Sequence, residues 1–286
     1  MTRMDPSADL GEQRAAAERV ADQLAGVDRL GVAFSGGVDS ALLLALAVRT
    51  LGAERVIAVL GVSPSLAADE RAAAHQVAAF IGAPVVEVLT DEGSNPAYRA
   101  NGPDRCYHCK NELFTRIDDE LVVQQRLSAV AYGENADDVI RPDRPGALAA
   151  TEHGVLRPLA EAGIDKVGVR ALARALRLPC ADKPAAPCLA SRIPHHESVD
   201  PIKLGQIERA EAGVRALGFA DCRVRHHGDI ARLELPSADL APATADPLRT
   251  QLLAAVRAAG FRFVALDLAG IQSGAFTLPL VTVNHG

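Results

Sequence analysis

Six consecutive residues, Ser35-Gly36-Gly37-Val38-Asp39-Ser40, hold the residue types most suited to chemistry in this chain. The apolar run at 30–34 before them reads as a strand, and the apolar run at 41–48 after them reads as a helix. Glycines at such a turn let backbone N–H groups come close to phosphate oxygens, and the start of the helix adds partial positive charge. Ser35 and Ser40 supply hydroxyl donors. A carboxylate repels phosphates unless a cation stands between them, so Asp39 is read as a Mg²⁺ contact. The lysine of a Gly-Lys-Ser/Thr phosphate loop does not follow these glycines.

Gly133-Glu134-Asn135-Ala136-Asp137-Asp138 is a second polar turn behind a strand-like run at 129–132. Its small and polar side chains suit close ligand approach; Asn135 and Asp138 are equally good helix caps. Cys106 and Cys109 form a C-x-x-C pair around Tyr107 and His108, and Cys188 follows far downstream. Three chemistries fit: a zinc site completed by His108 or another histidine, a redox pair, or an iron–sulfur cluster on three thiolates with one iron open. Cys180 and Cys222 have no partner spacing and read as small apolar residues. Arg223 and Arg225 lie two apart on a strand-like segment. They share a face there, either as a fork for a phosphate or as a solvated charged surface.

The elements that must position these groups alternate. After a leading helix at 12–27, strand signals at 30–34, 56–62, 85–89 and 129–132 enclose helical signals at 37–50, 66–81 and 108–124. That order predicts a parallel α/β sheet, whose ligands bind beyond the carboxyl ends of the strands. Residues 91–107, 140–163 and 179–200 read as loops, with a helix at 166–178. From Pro201 the texture changes: a helix at 202–217, strands at 222–227 and 230–235 around His227-Gly228-Asp229, a helix near 247–259 and a strand at 263–268. Two domains are expected, at 1–197 and 198–286, the second a smaller α+β unit.

Composition narrows the function classes. At 286 residues and 49% apolar, the chain can bury a full core, filled by Ala, Leu and Val because aromatics are 3% and Trp is absent. A net charge of −6 argues against broad nucleic-acid binding. No apolar run approaches the roughly 18 residues of a membrane span, and the polar N-terminus lacks a signal peptide's apolar region. The five cysteines do not suggest a disulfide framework. A cytoplasmic location without membrane or nucleic-acid partners is the expectation.

Ser35 to Ser40 resembles the PP-loop of ATP pyrophosphatases, which holds the β/γ-pyrophosphate as leaving group while AMP goes to the substrate. Gly133, Asn135 and Asp138 resemble the Gly-x-Asn-x-x-Asp element of that superfamily. Almost the whole chain resembles the LarE family of ATP-dependent sulfur-insertion enzymes. The resemblance rests on residues 33–40, 105–110, 183–194, 223–234 and 260–274. It implies ATP and Mg²⁺ at Ser35, Gly36, Gly37, Val38, Asp39 and Ser40. It also implies adenylation of a carboxylate of pyridinium-3,5-biscarboxylic acid mononucleotide, and displacement of AMP by sulfur.

Some family members sacrifice the sulfur of one cysteine, the role Cys188 would take. Others hold a [4Fe–4S] cluster on three, which Cys106, Cys109 and Cys188 match. The resemblance further puts Ser191, Arg192, Arg223 and Arg225 at the substrate phosphate. Glu211 and Glu234 match acidic positions that can bind a divalent metal, although no acidic residue stands at 240–243. Asp39 and Cys188 are the expected catalytic residues. A sulfide source and a homo-oligomer, often a hexamer in the family, are the implied partners. A tRNA thiolase would need a basic surface, and an amidotransferase such as an NAD synthetase would leave the cysteines unexplained. A non-catalytic nucleotide or iron–sulfur carrier would not release pyrophosphate.

Overall fold

A computed structural model describes residues 3–139 and 145–271. Residues 140–144 of the loop expected at 140–163, and residues 272–274 of the 260–274 match, lie outside the described residues. The chain divides into two compact units. One runs to Glu92 and resumes over Cys106–Ala186; the other joins Gly93–Arg105 to the chain from Pro187 onward. The division therefore falls at 186/187 instead of 197/198, and a short excursion from the first half is added to the second unit. Hydrogen bonds explain the excursion. The buried Asn101 amide donates to the carbonyls of Ile193 and Pro194, Arg105 donates to Ala190 O, and the Val199 amide reaches Arg99 O.

In the first unit β1 (Leu30–Ala33), β2 (Val56–Val62), β3 (Val85–Leu89) and β4 (Ala129–Tyr132) form one parallel sheet in the order β3-β2-β1-β4. Helices α1 (Arg14–Leu24), α2 (Val38–Leu51), α3 (Ala68–Ile81), α4 (Arg105–Arg116) and α5 (Lys166–Ala175) belong to this part of the chain, α4 starting at the divide. The chain steps outward from β1 to β3 and then returns to place β4 on the other side of β1. The order reverses at β1/β4, the switch point where open α/β sheets bind ligands. Helix α2 is apolar almost all round, with Ala41 through Val48 buried, and a helix of that pattern must be covered on every side. It packs against α1, α3, α5, β1 and β2.

The second unit has β5 (Arg223–His227), β6 (Ile230–Glu234) and β7 (Phe263–Leu266), in that order. β5 and β6 are antiparallel about a turn at Gly228 and Asp229; β6 and β7 run parallel. Helices α6 (Pro201–Ala216) and α7 (Leu248–Ala258) share the core, which includes Val214, Phe219, Val224, Leu233, Leu252, Val256 and Phe261. The Asp200 side chain caps α6, accepting from Ile202 N and Lys203 N at 2.9 Å each, with Pro201 in the first turn. A helix at Ser237–Thr244 had no sequence expectation, because Pro242 interrupts its pattern.

Candidate functional site

The first unit assembles the Ser35–Ser40 turn beyond the carboxyl end of β1. Gly36 has a φ of +73°, and an added Cβ would lie 2.8 Å from the Ala74 Cα of α3, so both conformation and space call for glycine. Gly37 is the N-cap of α2, and its carbonyl accepts from Ala41 N at 2.9 Å. Ser40 Oγ donates to Gly37 O at 3.1 Å, accepts from Ser35 N at 3.3 Å and lies 3.2 Å from Ser35 Oγ. The two hydroxyls brace the turn from inside. The first amides of a helix have no intrahelical acceptors, so α2 presents N–H groups and a positive dipole end to an anion.

The turn behind β4 sits against this loop. A Cβ on Gly133 would come within 2.7 Å of both Asp39 C and Ser40 N. Asn135 is buried and uses its whole amide: Oδ1 accepts from Asp137 N and Asp138 N, while Nδ2 donates to Asp39 Oδ1 and Asp138 Oδ2, each at 2.9 Å. The cap role and the site role open to Asn135 thus coexist. Asp39 Oδ2 is met by Lys166 Nζ at 2.5 Å, from the first residue of α5. Lys166 is the site residue that sequence reasoning missed. It lies 127 positions from Asp39, and its local pattern signals only a helix start capped by Asp165.

Cys106 lies on the first turn of α4, where the loop expected at 91–107 gives way to helix, and Cys109 follows three residues later on the same helical face. The five thiols sort by access. Cys106 and Cys188 are exposed and Cys109 is half-buried, whereas Cys180 and Cys222 are buried. Burial pushes the Cys180 thiol up and the Cys222 thiol up to about 12, so neither readily forms a thiolate. Three accessible cysteine side chains outside any disulfide fit a three-thiolate donor set in type. Among the described residues no group of three or more His, Cys, Asp or Glu is gathered to hold a metal.

The second unit concentrates arginines. Arg192, Arg223 and Arg225 are all buried. Arg192, in a short 3₁₀ turn at Leu189–Arg192, forks onto Glu211 at 2.8 and 3.2 Å and donates to Ser191 Oγ at 2.9 Å. Arg225 forks onto Glu234 at 2.9 and 2.8 Å and donates to Ser191 O at 2.8 Å. In the β5/β6 register Arg223 is opposite Glu234, so the Arg225 pair is the diagonal one. Glu211 also accepts from Val224 N at 3.0 Å. Burial first, then the charges of Arg192 and Arg225, hold the Arg223 pKa below its usual value. A buried guanidinium held down by neighbouring cations is one that an anion would stabilise. Glu211 and Glu234 face guanidiniums, so a metal at either would first have to displace a buried arginine.

Residues 13–111 match the family model described as asparagine synthase. An uncharacterised protein of Synechocystis sp. is 42% identical over 248 residues, covering 87% of this chain and 91% of that protein. The pyridinium-3,5-bisthiocarboxylic acid mononucleotide synthase of Lactiplantibacillus plantarum is 36% identical over 250 residues, or 87% of this chain and 88% of the synthase. An uncharacterised protein of Methanocaldococcus jannaschii is 30% identical over 135 residues, 47% of this chain and 52% of its own.

Proposed function

Because the chain belongs to the LarE family of ATP-dependent sulfurtransferases, we propose that it inserts sulfur into pyridinium-3,5-biscarboxylic acid mononucleotide at the expense of ATP. The PP-loop class and its parallel sheet stand as expected. A substrate carboxylate oxygen attacks the α-phosphorus, the bond to pyrophosphate breaks, and an acyl adenylate forms. Adenylation removes the carboxylate's charge and supplies a leaving group; a sulfur nucleophile then expels AMP and leaves the thiocarboxylate. Ser35, Gly36, Gly37, Val38 and Ser40 hold the pyrophosphate, Asp39 contacts Mg²⁺, and Gly133, Asn135 and Asp138 support the loop. Ser191, Arg192, Arg223 and Arg225 take the substrate phosphate. Glu211 and Glu234 first orient those arginines; any divalent metal there is secondary.

The observation that carries the sulfur chemistry is the sorting of the five cysteines. The accessible ones are Cys106, Cys109 and Cys188, the same three that match the family's three-cysteine pattern. Those residues would hold a [4Fe–4S] cluster, which supplies an open iron able to carry sulfide from an external source. Cys188 adjoins the Leu189–Arg192 turn, so sulfur delivery and the phosphate seat share one short segment. Among the described residues no helix is long and apolar enough to cross a membrane, and we place the enzyme in the cytoplasm. A homo-oligomer is part of this reading; Ile230 and Phe263, partners across β6 and β7, are exposed apolar residues available to it.

Anaerobic reconstitution with iron and sulfide tests the proposal, with pyrophosphate, thiocarboxylate and protein mass followed together. The wild type should turn over repeatedly with an unchanged chain mass, and Cys106→Ala should lose both cluster absorbance and yield. Equal yield without cluster absorbance removes the cluster. Loss of H₂S from Cys188 assigns the sulfur to that side chain instead. No pyrophosphate release with the dicarboxylate removes the sulfur-insertion function altogether.

A further inference from the structure

The phosphate loop lacks the lysine that its sequence neighbours would need to supply, yet α5 delivers one to it. Lys166 Nζ lies 2.5 Å from Asp39 Oδ2, the carboxylate oxygen left over once Asn135 has engaged Oδ1 at 2.9 Å. Its backbone is anchored on the same turn that supports the loop. Lys166 N donates to Asp137 Oδ2 at 2.9 Å, Ala136 N donates to Ile164 O at 2.8 Å, and the Asp165 side chain accepts from Gly168 N at 2.7 Å. The ammonium is therefore on a flexible stem with a fixed root. The Lys166 and Asp39 side chains retain 40% and 22% of their exposure, so an incoming ligand can reach both. A partly exposed ion pair of this kind is weak and easily exchanged.

We propose that Lys166 is the pyrophosphate-binding cation of this site, parked on Asp39 until magnesium and nucleotide arrive together. The inference rests on the reading of Ser35–Ser40 as the ATP site. When Mg²⁺ takes Asp39 Oδ2, the ammonium loses its partner beside the loop, where the β- and γ-phosphate oxygens offer a charge-assisted replacement. Two consequences have opposite signs. In the empty protein Lys166 competes with magnesium for Asp39; with pyrophosphate present it adds to binding. AMP, which lacks the β- and γ-phosphates, is indifferent to it.

Isothermal titration of wild type, Lys166→Met and Lys166→Arg with magnesium alone, magnesium pyrophosphate and AMP reads these consequences. Lys166→Met should bind magnesium alone more tightly, bind magnesium pyrophosphate about 10- to 100-fold more weakly, and bind AMP as before. Lys166→Arg should recover much of the pyrophosphate affinity. Lys166 is half exposed, so the variants should keep the wild-type thermal midpoint; a general structural loss would weaken AMP as well and would count against the assignment. Unchanged pyrophosphate affinity in Lys166→Met overturns the role of the lysine while leaving the ATP site intact. A wild type that binds neither magnesium pyrophosphate nor Mg·ATP overturns the site reading itself.

Discussion

Gly133→Ala is the sharpest single-atom probe of the nucleotide loop. The new Cβ would stand 2.7 Å from Asp39 C and Ser40 N and 2.9 Å from Asp39 O. All three are backbone atoms, so no side chain can swing away; ordinary contact begins near 3.4 Å. Either the start of α2 or the end of β4 must retreat by about 0.7 Å, and overpacking of this size costs about 1–3 kcal/mol. The retreat also pulls Asp39 from Asn135, whose 2.9 Å hydrogen bond depends on the same approach. If the loop takes up the strain, Mg·ATP affinity falls about 5- to 100-fold. Calorimetric titration with Mg·ATP measures it, beside a thermal melt. Gly93→Ala is the control, because nothing lies within 4 Å of its added Cβ; it should match the wild type in both assays. A Gly133→Ala protein with wild-type Mg·ATP affinity and an unchanged melt would refute the claim that this contact holds the loop.

Two further outcomes follow from the second unit. Glu211→Ala strands the buried Arg192 guanidinium and the Val224 amide, and breaking such a pair costs about 3–5 kcal/mol. The thermal midpoint should drop by on the order of 10 °C, whereas replacing both Arg192 and Glu211 with apolar residues should recover most of it; a double variant as unstable as the single one argues against the pair as the cause. Burial lowers the pKa of His195, His226 and His227 below the usual 6.5. The unfolded chain therefore binds protons that the native state refuses. The stabilisation is complete above about pH 6.5 and is lost as the pH falls through the lower native values. Thermal midpoints between about pH 7.5 and 5.5 should fall on acidification, less steeply in His226→Gln; a midpoint that rises would reverse the sign.

Much of the first unit was legible because its signals are local. Strands at 56–62, 85–89 and 129–132 match β2, β3 and β4, since short apolar runs bounded by turns and alternating with helical periods read as strands of a parallel sheet. The glycine turn was equally plain, for two glycines between a strand signal and a helix signal mark a tight turn suited to close phosphate approach in the local sequence itself. The loop reading of 91–107 missed the helix at Pro96–Arg99 and the start of α4, where Pro, Gly and polar residues hide the period. The excursion at 93–105 had no local signal for a different reason: Asn101 and Arg105 join the second unit through carbonyls of Ala190, Ile193 and Pro194, and a backbone acceptor leaves no mark in its residue type.

Residue types and spacing alone marked a glycine turn suited to phosphate, a C-x-x-C pair with a distant third cysteine, and two arginines sharing a face of a strand. Only the tertiary structure decided what each of these touches. Folding brings Lys166 to Asp39 across 127 residues, turns Glu211 and Glu234 toward arginines, and buries Cys180 and Cys222 while leaving the other three thiols accessible. Charge pairing and desolvation depend on distance and burial in space, and neither quantity is written along the chain.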